Sequence, residues 1–177
     1  MSFSGNDKLD FIFGRRSIRV YSPGEISDST VTNLLRAAMA APSAMTKDPW
    51  RFIVVRSSET LAQMSAVLPG GKMLATATLA IVACGDLEEA LEQQLSYLLQ
   101  DCSAAIENML LGAHALGLGG CWVGVHPSED SVRRLKALFS LPPTILPIAV
   151  IALGLPGEQL EPRTRHNPNY VRLERWS

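Results

Sequence analysis

Arg15-Arg16-Ser17-Ile18-Arg19 sets three guanidinium groups and a hydroxyl within five residues. The 177-residue chain carries 16 Lys+Arg against 17 Asp+Glu, so this is a local concentration of positive charge in a nearly neutral protein. Guanidinium forks hold phosphate in a bidentate way, and a neighbouring hydroxyl adds a donor. In an extended backbone Arg15, Ser17 and Arg19 project to one side. That side forms a compact pocket for one phosphate monoester. A solvated charged turn is the competing reading, and the rest of the chain decides between them.

Working outward, residues 7–13 place Leu9, Ile12 and Phe13 on one helical face, and Gly14 ends that helix. Residues 1–10 are polar and hold no apolar signal core. After the arginines, Tyr21-Ser22-Pro23-Gly24 reads as a turn. Ser27 or Asp28 caps a second helix, on which Val31, Leu34, Leu35, Ala38 and Met39 recur through Ala41 until Pro42 stops it. A loop between Pro42 and Pro49 leads into a strand at 51–56. A helix over 58–68 follows, broken by Pro69-Gly70-Gly71. Residues 79–83 are wholly apolar, which suits a strand covered on both faces.

The longest helical pattern runs from about 87 to 116. Leu98, Cys102, Ala105, Met109, Gly112 and Leu116 form its stripe, and Ile106 and Ala113 widen it. Its small residues admit a closely packed helix, and a second subunit is expected to supply it. Gly117-Leu118-Gly119-Gly120 ends the pattern, and a short strand at 121–125 follows. A helix begins at Ser128 or Glu129, with Val132, Leu135, Leu138 and Phe139 inward, and residues 147–153 form another apolar strand. From 156 onward the chain is polar and ends near Trp176, which is expected to dock rather than stand in water.

Hydrophobic residues make up 47% of the chain and charged residues only 19%. Such a chain hides apolar surface in a large core or in a partner, which points to an obligate oligomer. The net charge of -1 argues against general nucleic-acid binding. The longest apolar runs, 78–84 and 145–155, are too short to cross a bilayer. Cys84, Cys102 and Cys121 are odd in number, widely spaced and set in apolar surroundings, the pattern of reduced thiols in cytoplasm. His114, His126 and His166 are scattered, and no metal site is expected.

The 117–120 glycines lie between a helix and a strand, the reverse of the dinucleotide-binding context. There is no phosphate-loop Gly-Lys-Ser/Thr and no Gly-x-Ser-x-Gly elbow. A phosphate pocket without acid-base machinery points to a cofactor that carries the chemistry itself.

Four stretches, in order, resemble the flavin-dependent nitroreductase family. They are Arg15-Arg16-Ser17-Ile18-Arg19, the run Ala40-Ala41-Pro42-Ser43-Ala44-Met45 through Pro49-Trp50-Arg51-Phe52, Gly119-Gly120-Cys121-Trp122-Val123-Gly124-Val125, and Arg163-Thr164-Arg165 with Trp176. The resemblance implies an α+β fold with a central, mostly antiparallel sheet flanked by helices, in an intertwined homodimer with two FMN at its interface. It implies one domain over 1–177, with an arm from about 156 to 177 docking on the partner. By resemblance, Arg15, Arg16, Ser17, Arg163 and Arg165 hold the FMN phosphate, and Arg19 sits near the ribityl chain and ring. Pro42, Ser43, Ala44 and Met45 reach the flavin from the other subunit. Trp122, Val123 and Gly124 line the ring, with Val123 and Gly124 presenting N–H groups near N5 and O4. Lys72 matches a family lysine near N1 and O2, and a solvated lysine is the other reading. Thr46-Lys47-Asp48 departs from the family pattern, which has Asn near Thr46 and Gln near Asp48.

The implied activity is hydride transfer from NADH or NADPH to a nitroaromatic, quinone or related acceptor by a ping-pong mechanism. No amino-acid side chain is expected to be catalytic, since flavin N5 carries the chemistry. A flavin-binding protein with little reductase activity, used for storage, sensing or handling, is the alternative. A flavin-free interaction module is disfavoured by the complete set of phosphate-site residues.

Overall fold

A computed structural model describes residues 7–176. Five helices and five strands alternate along it: α1 Asp7–Gly14, β1 Tyr21–Ser22, α2 Asp28–Met39, β2 Trp50–Val55, α3 Ser58–Val67, β3 Leu79–Asp86, α4 Leu95–Ala115, β4 Gly119–Gly124, α5 Glu129–Phe139 and β5 Ile145–Pro156. The fold is α+β. β5 is the hub of one sheet, pairing antiparallel with β3, with β4 and, at its far end, with β1; β2 lies outside β3.

The sheet is covered on both faces, which explains the unbroken apolar run of β3. Leu79, Ile81 and Ala83 face α2 and α4, while Ala80, Val82 and Cys84 face α3 and α5. All six are at most 1% exposed. Ser27, Ser57 and Ser128 cap α2, α3 and α5 by accepting backbone N–H bonds. The register of β3 on β5 shifts beside Pro147, which has no N–H to give.

Three expectations are corrected. Residues 21–24 are not a plain turn: Tyr21 and Ser22 pair with Pro156 and Leu155 as β1, and the bend comes at Pro23. α4 begins at Leu95, not near 87. Leu87 is drawn to β5 by its N–H bond to the Thr144 carbonyl, and Glu92 and Gln93 take positive φ, so the helical pattern of 87–94 yields to tertiary pairing. The close approach at Gly112 comes from within the chain: a Cβ there would lie 3.3 Å from Ala37 Cβ on α2. The end of α4 follows expectation. Gly117 has φ +73°, its N–H bonds His114 O, and Leu118 N–H bonds Ala113 O, a Schellman closure.

After β5 the chain runs without long elements to 176. Trp176 is 80% exposed and Leu173 87%, so within one chain the arm's apolar end is uncovered. Among the described residues no helix is long and apolar enough to cross a membrane.

Candidate functional site

The arginine stretch leaves α1 at Gly14, where any Cβ would press on the His114 ring at 2.9 Å. It then lies along the free edge of β4. Ser17 forms a parallel bridge with Gly120, and Ile18 N–H donates to Gly120 O at 3.1 Å. Ile18 points inward and packs where a Cβ on Gly119 would fall, 2.8 Å from its Cγ2. The Gly119-Gly120 pair therefore serves close backbone packing beneath the arginines. The Tyr21 hydroxyl lies within bonding distance of both Ile18 O and Ala152 O, tying the stretch to β5.

Arg15, Arg16, Ser17 and Arg19 then line one cavity of about 340 Å³ with Arg163, Arg165 and Leu160. The structure thus brings together all six expected residues of this pocket, from opposite ends of the sequence. The arm is placed by Arg163 N–H on Phe13 O at 3.2 Å, Gly157 N–H on Val20 O at 2.8 Å, and Arg16 bonding Glu161 O. Glu158 Oε1 accepts Arg19 N–H at 2.6 Å and Val20 N–H at 3.1 Å. Among the described residues no carboxylate lines the cavity. Arg15 is ion-paired with Glu107 of α4 at 3.2 Å, and among the described residues Arg163 and Arg165 have no such partner. Five guanidinium groups and one hydroxyl around a void have the chemistry to receive an anion.

A second cavity of about 350 Å³ adjoins it, bounded by Arg15, Leu110, His114, Leu118, Glu158 and Pro162. Burial, and then the Arg15 charge, hold the His114 pKa below its usual value.

β4 carries the next group. Val125 N–H bonds Ile148 O on β5, while Gly120 O faces Ile18 on the opposite edge. Ladder alternation then turns the backbone of Val123 to β5 and that of Trp122 and Gly124 to the open edge, so the expected Val123 N–H contact to a ring is corrected: that N–H faces β5. Val123 is buried; Trp122 is 36% exposed. A Cβ on Gly124 would meet nothing within 4 Å, and Gly124 has no positive φ. Neither packing nor backbone conformation in this chain requires glycine there.

The other expected residues are elsewhere. Pro42, Ser43, Ala44 and Met45 lie beside Asp101 of α4, whose Oδ1 accepts Ala44 N–H at 2.9 Å. Asp101 lies six residues, about 9 Å along α4, from Glu107, the partner of Arg15, and none of the four loop residues lines the arginine cavity. One chain does not bring the loop to its own arginine pocket. Lys72 is exposed on a 3-10 turn packed against α3, on the α3/α5 side of the sheet, and lines neither cavity. Glu107, Glu158 and Asp101 were not legible near the candidate site, because each bonds a partner distant in sequence, and Leu160 was not because it only lines the cavity wall.

A family model described as the nitroreductase family matches residues 12–70 and 63–155. A protein of Methanothermobacter thermautotrophicus, provisionally named an NADH dehydrogenase/NAD(P)H nitroreductase, is 44% identical over 170 residues, covering 96% of this chain and 88% of its own. A solved structure from Bacteroides thetaiotaomicron, under the same provisional name, superposes with TM-score 0.91 at 36% identity, over 98% of this chain and 100% of that one. A provisionally named nitroreductase of Desulfovibrio desulfuricans, solved in complex with FMN, superposes with TM-score 0.83 at 30% identity, over 97% and 99%.

Proposed function

Because the chain belongs to the nitroreductase family, we propose that it is an FMN-dependent oxidoreductase moving hydride from NADH or NADPH to a nitroaromatic, quinone or related acceptor. The observation that carries this is the cavity of five arginines and Ser17, with no carboxylate on its wall among the described residues. The residues fit FMN. A phosphate monoester carries about −1.5 to −2 charge and three acceptor oxygens, and the pocket offers donors in excess of both. The glycine-faced, open edge of β4 leaves room beside it for a flat ring.

When bound, FMN supplies the centre that takes and gives the hydride. Arg15, Arg16, Ser17, Arg163 and Arg165 hold the phosphate, and Arg19 places positive charge toward the ribityl chain and ring. Gly124 donates its edge N–H to the ring, while Trp122 flanks it and Val123 supports the strand from within. Pro42, Ser43, Ala44 and Met45 complete the site from the partner subunit of a homodimer, which accounts for their distance from the arginines of their own chain. Lys72, which lines neither cavity, takes the solvated reading in this arrangement. No side chain near the pocket acts as general acid or base, and solvent supplies protons to the reduced acceptor. One open face serves both substrates in turn.

The test is steady-state turnover of NADH or NADPH with an added acceptor. Parallel lines in double-reciprocal plots are expected. Bound FMN without turnover would favour flavin storage, sensing or handling, and intersecting lines would rule out alternation at one face.

A further inference from the structure

Resting on the reading that residues 42–45 face FMN, we infer that Asp101 is the positioning residue that fixes this loop in the shape the flavin meets. Asp101 is 5% exposed, in the middle of a stripe of buried Leu98, Cys102 and Ala105 on α4. Its Oδ1 accepts Ala44 N–H at 2.9 Å. Its Oδ2 is buried with no hydrogen-bond partner, and no cation pairs with it among the described residues. A half-used carboxylate is a costly occupant of a helix core, where an apolar residue would pack more cheaply. What Asp101 gives and an apolar residue cannot is an acceptor for Ala44.

The loop needs one. Met45, Thr46 and Asp48 all take left-handed φ, at 50°, 53° and 48°, without a glycine among them. On the outer side Ser43 Oγ bonds Asp48 Oδ1 and accepts Asp48 N–H at 3.0 Å. Two carboxylates therefore grip adjacent residues, Asp48 on Ser43 and Asp101 on Ala44. Asp48, one of the departures from the family pattern, is spent inside the loop. Six residues further along α4, Glu107 pairs with Arg15 of the phosphate pocket. One rigid helix thus sets both the pocket of its own subunit and the wall offered to the other.

The experiment compares Asp101→Ala, Asp101→Asn and Asp48→Ala in the protein as purified. Amide exchange across 43–48, FMN affinity from flavin fluorescence, and KM against kcat for the acceptor are measured. Asp101→Ala should speed exchange at Ala44 by about tenfold and weaken FMN by a similar factor, the worth of one buried hydrogen bond. Asp101→Asn keeps an acceptor carbonyl and should restore both to within about twofold of wild type. Faster exchange with undiminished FMN affinity would overturn the inference, as would Asp101→Asn behaving like Asp101→Ala. Should Asp101→Ala not fold, Asp48→Ala loosens the same loop from the surface, and unchanged FMN affinity there would equally overturn it. A wild-type protein that binds no FMN would instead sink the functional reading.

Discussion

On the proposed assignment, each arginine of the pocket would give the FMN phosphate a charge-assisted contact worth roughly 1.5–3 kcal/mol. Arg15→Ala with Arg163→Ala should therefore strip most of the FMN, read from the absorbance of the purified protein; the released Glu107 is half-exposed and costs little. Full flavin content would refute the pocket assignment. Gly124 offers the converse case. Its neighbourhood is open, so Gly124→Val should leave the melting temperature unchanged or raised while flavin content falls. His114 makes a pH prediction. Its folded pKa is lowered by burial and by Arg15, so below about pH 6.5 the unfolded chain binds a proton that the folded chain refuses. Stability should fall as pH drops through this window, and His114→Gln should flatten that part of a urea-midpoint profile. The arginines were legible because charge density is a local property. Their carboxylate neighbours were not, since nothing near residues 101, 107 or 158 in sequence names what they touch.

α4 shows how far an element can be read from its own residues. Its stripe, its glycine stop and its deep burial were all legible, because over 95–115 no competing pairing opposes the 3.6-residue period. Its start was not, since helix-forming residues at 87–94 are claimed by pairing to Thr144. β1 was missed for the same reason: two residues at a proline become a strand only because β5 overruns its other partners. The α2–α4 crossing depends on Gly112, with Ala37 Cβ and Leu34 Cδ2 at 3.3 and 3.6 Å from the missing Cβ. Gly112→Leu should cost about 1–3 kcal/mol through overpacking. At this chain length that lowers the melting temperature by roughly 2–4 °C per kcal/mol, measurable by calorimetry.

At the scale of the molecule, the apolar surface left uncovered among the described residues includes both ends of the chain. Leu9, Phe11 and Ile12 of α1 are each about two-fifths exposed, and the arm leaves Leu173 and Trp176 almost wholly so. A homodimer covering both, over more than about 1,600 Å², is expected by sedimentation at micromolar protein. Removing residues 167–177 spares Arg163 and Arg165 and should shift the protein toward monomer; an unchanged dimer would show the arm to be dispensable for assembly. The pocket's two halves lie at opposite ends of the sequence, joined by Arg163 N–H on Phe13 O. During synthesis Arg15, Arg16 and Arg19 reach the outside of the ribosome on the order of ten seconds before Arg163 and Arg165 do. In that interval a nascent chain exposes half an anion site with nothing to close it. On the proposed assignment, capture of the cofactor is then a late event in the life of each chain, and chains cut short before residue 163 should retain no FMN on purification.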